Sequence, residues 1–216
     1  MKNIKSVIFD LDGTLLDSMT IWGDIAIDYL KSHGATPRAS IREDLRTTNT
    51  IEEAKHYIDV YGIDKSVEEV IRGRDNMMLE RYKTDVKLKN GVREVLKALK
   101  NRGIKICLAT ATERELAEPA VKAHCIDGYF EHIFTCTEEK TSKKYPDIYL
   151  KAAEFLCTAP HETLVVEDAL YASLTAKKAG FVVAGVYDLV SDNIQNELKA
   201  ACDYYFVTLD EMLTLL

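Results

Sequence analysis

The feature that most constrains this chain is a series of short, unbroken apolar runs that alternate with helix-period patterns. The first run, Ser6-Val7-Ile8-Phe9, ends at Asp10. Similar runs cover Ile104 to Thr110, His132 to Cys136, Thr163 to Glu167, Phe181 to Val186 and Tyr204 to Val207. Their length and β-branched content, without polar alternation, predict strands buried on both faces. Between them, Val92, Val95, Leu96 and Leu99 follow the i, i+3, i+4, i+7 rule and stop before Gly103. Thr112 with Glu115 reads as a capping box ahead of Ala117, Ala120 and Val121. The segment Ala169 to Ala179 ends at Gly180, and Thr208 with Glu211 caps a last helix. Strands alternating with helices predict an α/β fold, a parallel sheet covered by helices on both faces.

One stretch breaks the alternation. From Asp17 to about Asp85 no strand pattern occurs. Met19, Trp22, Ile25, Ala26 and Tyr29 mark one amphipathic helix, with Gly34 and Pro37 beyond its end. Ile51, Ala54, Ile58 and Tyr61 mark a second, and Ser66 with Glu69 caps a third carrying Val67, Val70, Ile71 and Met78. A helical insert of about 70 residues is too long for a loop and reads as a small domain of its own. The expected division is a core of residues 1–16 and 87–216 and a helical domain of residues 17–86.

Composition narrows the partners. With 216 residues and 47% hydrophobic content the chain can bury a real core. A formal net charge of -7 argues against a nucleic-acid or anionic-membrane surface, which needs a basic stripe. It leaves anionic small molecules open, because a bound divalent cation reverses the local sign. The five cysteines (Cys107, Cys125, Cys136, Cys157, Cys202) show no zinc spacing and read as free thiols, several of them in apolar surroundings. No apolar run approaches the roughly 20 residues of a membrane span. Residues 1–5 run directly into the first strand pattern without a secretory leader, so the cytoplasm is the expected compartment.

In an open parallel sheet, ligands sit beyond the carboxyl ends of the strands. The first strand is followed by Asp10-Leu11-Asp12-Gly13-Thr14, the second ends in Thr110-Ala111-Thr112, and the fourth ends in Glu167-Asp168. Lys143 lies between the third and fourth, close to Pro146-Asp147. Four carboxylates, a hydroxyl and an ammonium thus converge on one sheet edge. Four acids around a cleft would repel one another and raise their pKa values. A hard divalent cation resolves that conflict, and magnesium fits best if a substrate phosphate shares it. Asp10 and Asp12, two apart, share a strand face, and Gly13 permits a sharp turn. An EF-hand calcium loop also begins with alternating Asp, but its later ligands and flanking helix are missing.

Taken in order, these four elements resemble motifs I to IV of the haloacid dehalogenase superfamily of phosphatases and phosphomutases. The resemblance covers the whole chain: a Rossmann-like three-layer core plus a helical cap inserted just after motif I. That insertion point is similar to the subgroup containing phosphoglycolate phosphatase and β-phosphoglucomutase. The resemblance implies that Asp10 is the nucleophile that forms an aspartyl phosphate, and Asp12 the general acid and then base. It implies phosphate binding by Thr110, the Ala111 backbone N–H and Lys143, and magnesium held by Asp10, Asp12 through its carbonyl, Asp168 and Glu167. Thr112 is read as the helix cap alone. Lys144 rivals Lys143, but Lys143 stands four residues before Asp147, as the family's lysine does before its Pro-Asp pair. Three positions depart from the family pattern. Lys144 replaces a frequent Pro, Ala169 a Ser or Thr, and Ala172 a Gly, so one hydroxyl near the metal ligands is expected to be lost.

The resemblance further implies a magnesium-dependent phosphatase acting on a small phosphorylated metabolite such as a sugar phosphate or phosphoglycolate. β-Phosphoglucomutases carry a histidine ten residues after the acid/base Asp; here Trp22 stands there, which weakens the mutase alternative. Met19 and Trp22 either face substrate or form cap core. Dehalogenase relatives lack the second Asp of motif I, so Asp12 argues against that chemistry. A non-catalytic binding protein on this scaffold would be expected to lose Asp10, Asp12 or Lys143, and all three are present. His33, His56, His124, His132 and His161 are scattered and read as structural or solvated.

Overall fold

The computed structural model describes residues 3–45 and 50–216, so the first two residues of the opening stretch lie outside it. Six strands form one parallel sheet: β1 (Ser6–Phe9), β2 (Lys105–Thr110), β3 (His132–Thr135), β4 (Thr163–Glu167), β5 (Val182–Val186) and β6 (Tyr204–Phe206). Each matches one of the apolar runs. The spatial order is β3-β2-β1-β4-β5-β6, with every pairing parallel. The order reverses at β1: the chain builds outward through β2 and β3, then returns to start β4 on the other side. This is the Rossmann order, and the reversal places a crevice beyond the carboxyl ends of β1 and β4.

Register lines up that edge. Phe9 pairs with Leu108 on one side and Val166 on the other. The residues that follow these strands therefore leave the sheet at the same edge. The strands are buried as the unbroken runs require. Ile8, Cys107, Ala109, Val165 and Val183 pack on one face with Ile148, Tyr149, Ala152 and Ala153 of α7 (Asp147–Phe155) and Ala176 of α8 (Leu170–Lys178). Strand alternation sends Val7, Phe9 and Val166, all buried, to the opposite face. Helix α5 (Val92–Asn101) packs on β2, and its buried Val92, Val95, Leu96 and Leu99 are the periodic residues of the sequence pattern. Helices α6 (Arg114–Ala123) and α9 (Gln195–Ala201) complete the α-helical elements of this unit among the described residues. Thr208 and Glu211 do make a capping box, but the element it opens, Leu209–Leu215, is a 3-10 helix.

The chain separates into two compact units, residues 1–18 with 87–216 and residues 19–86. The first unit carries the sheet. Its two crossings to the second are paired: Leu16 bridges Leu88 in antiparallel sense, and the Asp17 N–H donates to the Lys87 carbonyl at 2.9 Å.

The second unit holds α1 (Met19–Ser32), α2 (Ile41–Leu45), α3 (Thr50–Tyr61) and α4 (Val67–Thr84). Its core joins Ala26, Tyr29, Leu30, Ile41, Ala54, Tyr57, Ile63 and Val70, with Tyr29 stacked on Tyr57 at 5.7 Å. Ser66 and Glu69 form the expected reciprocal cap on α4. Gly73 lies inside that helix because a Cβ there would come 2.7 Å from the Tyr29 ring. Helix α2 escapes the periodic pattern: its five residues span barely more than a turn. Trp22 is half-buried, edge-on to Tyr82 at 6.4 Å, with the Arg74 guanidinium 5.6 Å from its ring centroid.

All five cysteines are free thiols, and no helix of the described residues is long and apolar enough to cross a membrane.

Candidate active site

Asp10 is the first residue past β1 and is buried; its N–H still bonds the Val166 carbonyl at 3.0 Å. The chain then turns through Gly13 at φ +84°. A Cβ on Gly13 would stand 2.4 Å from Asp168 Oδ2, so glycine is required both for the turn and for the approach of this carboxylate. At the end of β4, Glu167 and the following Asp168 are both buried. Carboxylate oxygens of Asp10, Glu167 and Asp168 lie within 4.8 Å of one another.

Lys143 reaches this cluster from the segment before α7. It is buried, donates to Asp10 Oδ1, and lies 2.6 Å from Glu167 Oε1. Lys144 is exposed, so the structure separates the two candidates. Burial disfavours charge on Lys143, but Asp10 and Glu167 outweigh it and hold its pKa above the ordinary lysine value. Asp10 is pushed well above the usual carboxylate range by burial first; Lys143 opposes, and Glu167 and Asp168 add to the rise. Asp168 is pushed up to about 7 by burial and by Glu167, with Lys143 opposing. Three buried acids against one buried lysine leave an excess of negative charge.

Within this cluster, one carboxylate oxygen has no donor among the described residues. Glu167 Oε1 accepts from both Lys143 and the Tyr149 hydroxyl, the latter at 2.7 Å, while buried Glu167 Oε2 has no hydrogen-bond partner. A buried orphan acceptor is costly, about 1–3 kcal/mol. An orphan oxygen, three crowded carboxylates and all-oxygen donors fit a hard divalent cation.

Asp12 is held differently. Ser18 Oγ donates to its Oδ1 and Thr112 Oγ1 to its Oδ2, both at 2.6 Å. The reading of Thr112 as the helix cap is therefore corrected: the N-cap residue of α6 is Glu113, and the Thr112 hydroxyl is spent on Asp12. Thr110 is buried at the end of β2, where its Oγ1 accepts the Thr112 N–H at 3.0 Å; Ala111 is exposed beside it. Ala169 offers no hydroxyl beside Asp168, but Thr14 Oγ1 donates to Asp168 Oδ1 at 3.1 Å.

Sequence reasoning missed Thr14, Ser18, Tyr149 and the pair Lys89–Asp188. Lys89 Nζ contacts Asp188 Oδ2 at 2.8 Å and the Tyr187 carbonyl at 2.6 Å, and both charges act on Asp168. Asp188 had a signal: it follows β5 as Glu167-Asp168 follow β4. Tyr149, two residues into α7 on its apolar side, had none.

The family described as haloacid dehalogenase-like hydrolase matches residues 7–186, and the chain belongs to this family. It is similar to "Putative pyrophosphatase PpaX" of Clostridium perfringens, 33% identical over 85% of this chain and 84% of that protein. It is also similar to "Phosphorylated carbohydrates phosphatase" of Thermotoga maritima, 26% identical over 87% and 86% of the two chains. In structure it resembles the protein titled "putative beta-phosphoglucomutase" from Thermotoga maritima, with TM-score 0.83, 25% identity and 98% of each chain covered. The chain is thus an enzyme, a hydrolase of the phosphatase kind for which its relatives are named.

Proposed function

We propose that this protein hydrolyses a small phosphorylated metabolite, such as a sugar phosphate or phosphoglycolate, with magnesium and through a phosphorylated Asp10. The carrying observation is the buried cluster in which Lys143 is clamped between Asp10 and Glu167 beside Asp168. Asp10, Glu167, Asp168 and the Asp12 carbonyl would hold the magnesium, which supplies charge neutralisation on the transferring phosphoryl group.

The protein's own residues carry the steps. The Asp10 carboxylate attacks phosphorus, and the bond to the leaving oxygen breaks. Asp12 gives that oxygen a proton, then takes one from the water that cleaves the aspartyl phosphate. Its two hydroxyl partners, Ser18 and Thr112, fix the carboxylate's orientation for both transfers. Lys143, a fixed cation at Asp10, draws the anionic phosphoryl group to the nucleophile and offsets its charge. Thr110 and the Ala111 N–H bind phosphoryl oxygens. Residues 19–86 act as a cap that selects substrate and excludes water, a reading supported by their insertion between the paired Leu16 and Leu88.

The test is a panel of phosphorylated metabolites, including pyrophosphate and glucose 1-phosphate, assayed for free phosphate with magnesium or with excess chelator. The reading expects release from at least one ester, lost in chelator. Release that persists in chelator contradicts it. Conversion of glucose 1-phosphate to glucose 6-phosphate without release would mark a mutase instead.

A further inference from the structure

Glu167 carries two oxygens with opposite fates, and Tyr149 is what separates them. The Tyr149 side chain is buried against the sheet, and its hydroxyl donates to Glu167 Oε1 at 2.7 Å. Lys143 Nζ meets the same oxygen at 2.6 Å. Two donors on one oxygen fix the plane of a carboxylate, because neither can be kept if the group rotates. Oε2 is left buried and without a partner, on a carboxylate grouped with Asp10 and Asp168. Lys143 alone would not impose this. It is shared with Asp10, whereas the phenol is rigid, anchored in α7 and edge-on to Phe181 at 6.2 Å.

We propose that Tyr149 is a positioning residue that holds Glu167 so that its free oxygen, Oε2, is presented for a divalent cation. The proposal rests on the reading of the acid cluster as a magnesium site. Any buried tyrosine needs a hydroxyl partner, and a purely structural role for this one is the competing explanation. The second unit contains a matched control. There the buried Tyr57 hydroxyl donates to Glu53, a carboxylate whose other oxygen is engaged by Arg74. Tyr57→Phe thus deletes the same kind of bond within the other unit.

The experiment measures magnesium binding to the intact protein by titration calorimetry, for the wild type, Tyr149→Phe, Tyr57→Phe, Glu167→Gln and the Tyr149→Phe/Glu167→Gln double variant. Chemical unfolding in chelator reports stability in parallel. Loss of a group that orients a metal ligand weakens binding by about 10-fold or more. Tyr149→Phe should show that loss, Tyr57→Phe should bind as the wild type does, and in the Glu167→Gln background Tyr149→Phe should add nothing further. Wild-type affinity in Tyr149→Phe, with only a stability change like that of Tyr57→Phe, overturns the positioning role. So does an undiminished effect of Tyr149→Phe once Glu167 is already Gln. A wild-type protein that binds no magnesium overturns the metal reading of the cluster itself, and the inference falls with it. Should Tyr149→Phe fail to fold, Tyr149→Met deletes the same hydroxyl while keeping an apolar side chain, and the same comparison applies.

Discussion

Both units of the molecule bury charge, and they do so in opposite ways. In the helical unit, buried Arg74 meets Glu53 at 2.7 Å and Asp75 at 2.9 Å, and the Tyr57 hydroxyl donates to Glu53. Burial disfavours its charge, but Glu53 and Asp75 outweigh that and keep Arg74 firmly protonated. In the sheet unit, Lys143 faces Asp10 and Glu167 with Asp168 alongside, and one carboxylate oxygen has no donor. The acids around Arg74 keep part of their surface exposed, and that network serves the fold. Fully buried acids in excess of the lysine, with an orphan carboxylate oxygen, cost stability and point to a site that works on a ligand.

The largest expected contrast is in activity. Asp10→Asn should reduce phosphate release by at least about a thousandfold. Its melting temperature should hold or rise, since one of three crowded acids is gone. A clear fall in melting temperature would put Asp10 among the stabilising residues.

The surplus charge should also appear in pH dependence. Asp10 and Asp168 have folded pKa values above their unfolded ones, so the native state binds more protons between about pH 4 and 7. Stability of the metal-free protein from these groups is present below the unfolded pKa and is lost as pH rises through the folded value. For Asp168, at about 7, the loss is up to about 4 kcal/mol between pH 4 and 7. Unfolding in chelator at several pH values checks this, and magnesium should flatten the slope.

In the helical unit, Arg74→Met leaves Glu53 and Asp75 without their shared cation and should cost about 3 kcal/mol in urea unfolding. The smallest effect belongs to Ser66→Ala, which removes the reciprocal cap of α4 and should cost about 1 kcal/mol with phosphate release unchanged.

Much of this was legible in the chain, for a physical reason. Strands buried on both faces leave unbroken apolar runs, so β1 to β6 stood out, and strand ends in such a sheet point to the ligand edge. Asp10, Lys143, Glu167 and Asp168 were found that way, and the structure brings them together. What stayed hidden was contact without periodicity. Thr112 carries a capping-box spacing, yet its hydroxyl donates to Asp12 and the N-cap position of α6 falls to Glu113. Thr14 donates to Asp168 across a sequence distance of 154 residues. Tyr149 looks like one more apolar position of α7 until its hydroxyl is placed on Glu167.

The central claim is that the surplus charge around Asp10 serves transfer of a phosphoryl group to that carboxylate. The most direct test is rapid acid quenching during turnover of a labelled phosphate ester, followed by peptide mapping of the wild type and Asp10→Asn. The account predicts a hydroxylamine-labile phosphoryl group on the peptide containing Asp10, absent from the variant. Label on a different residue, with Asp10→Asn turning over at the wild-type rate, would contradict it.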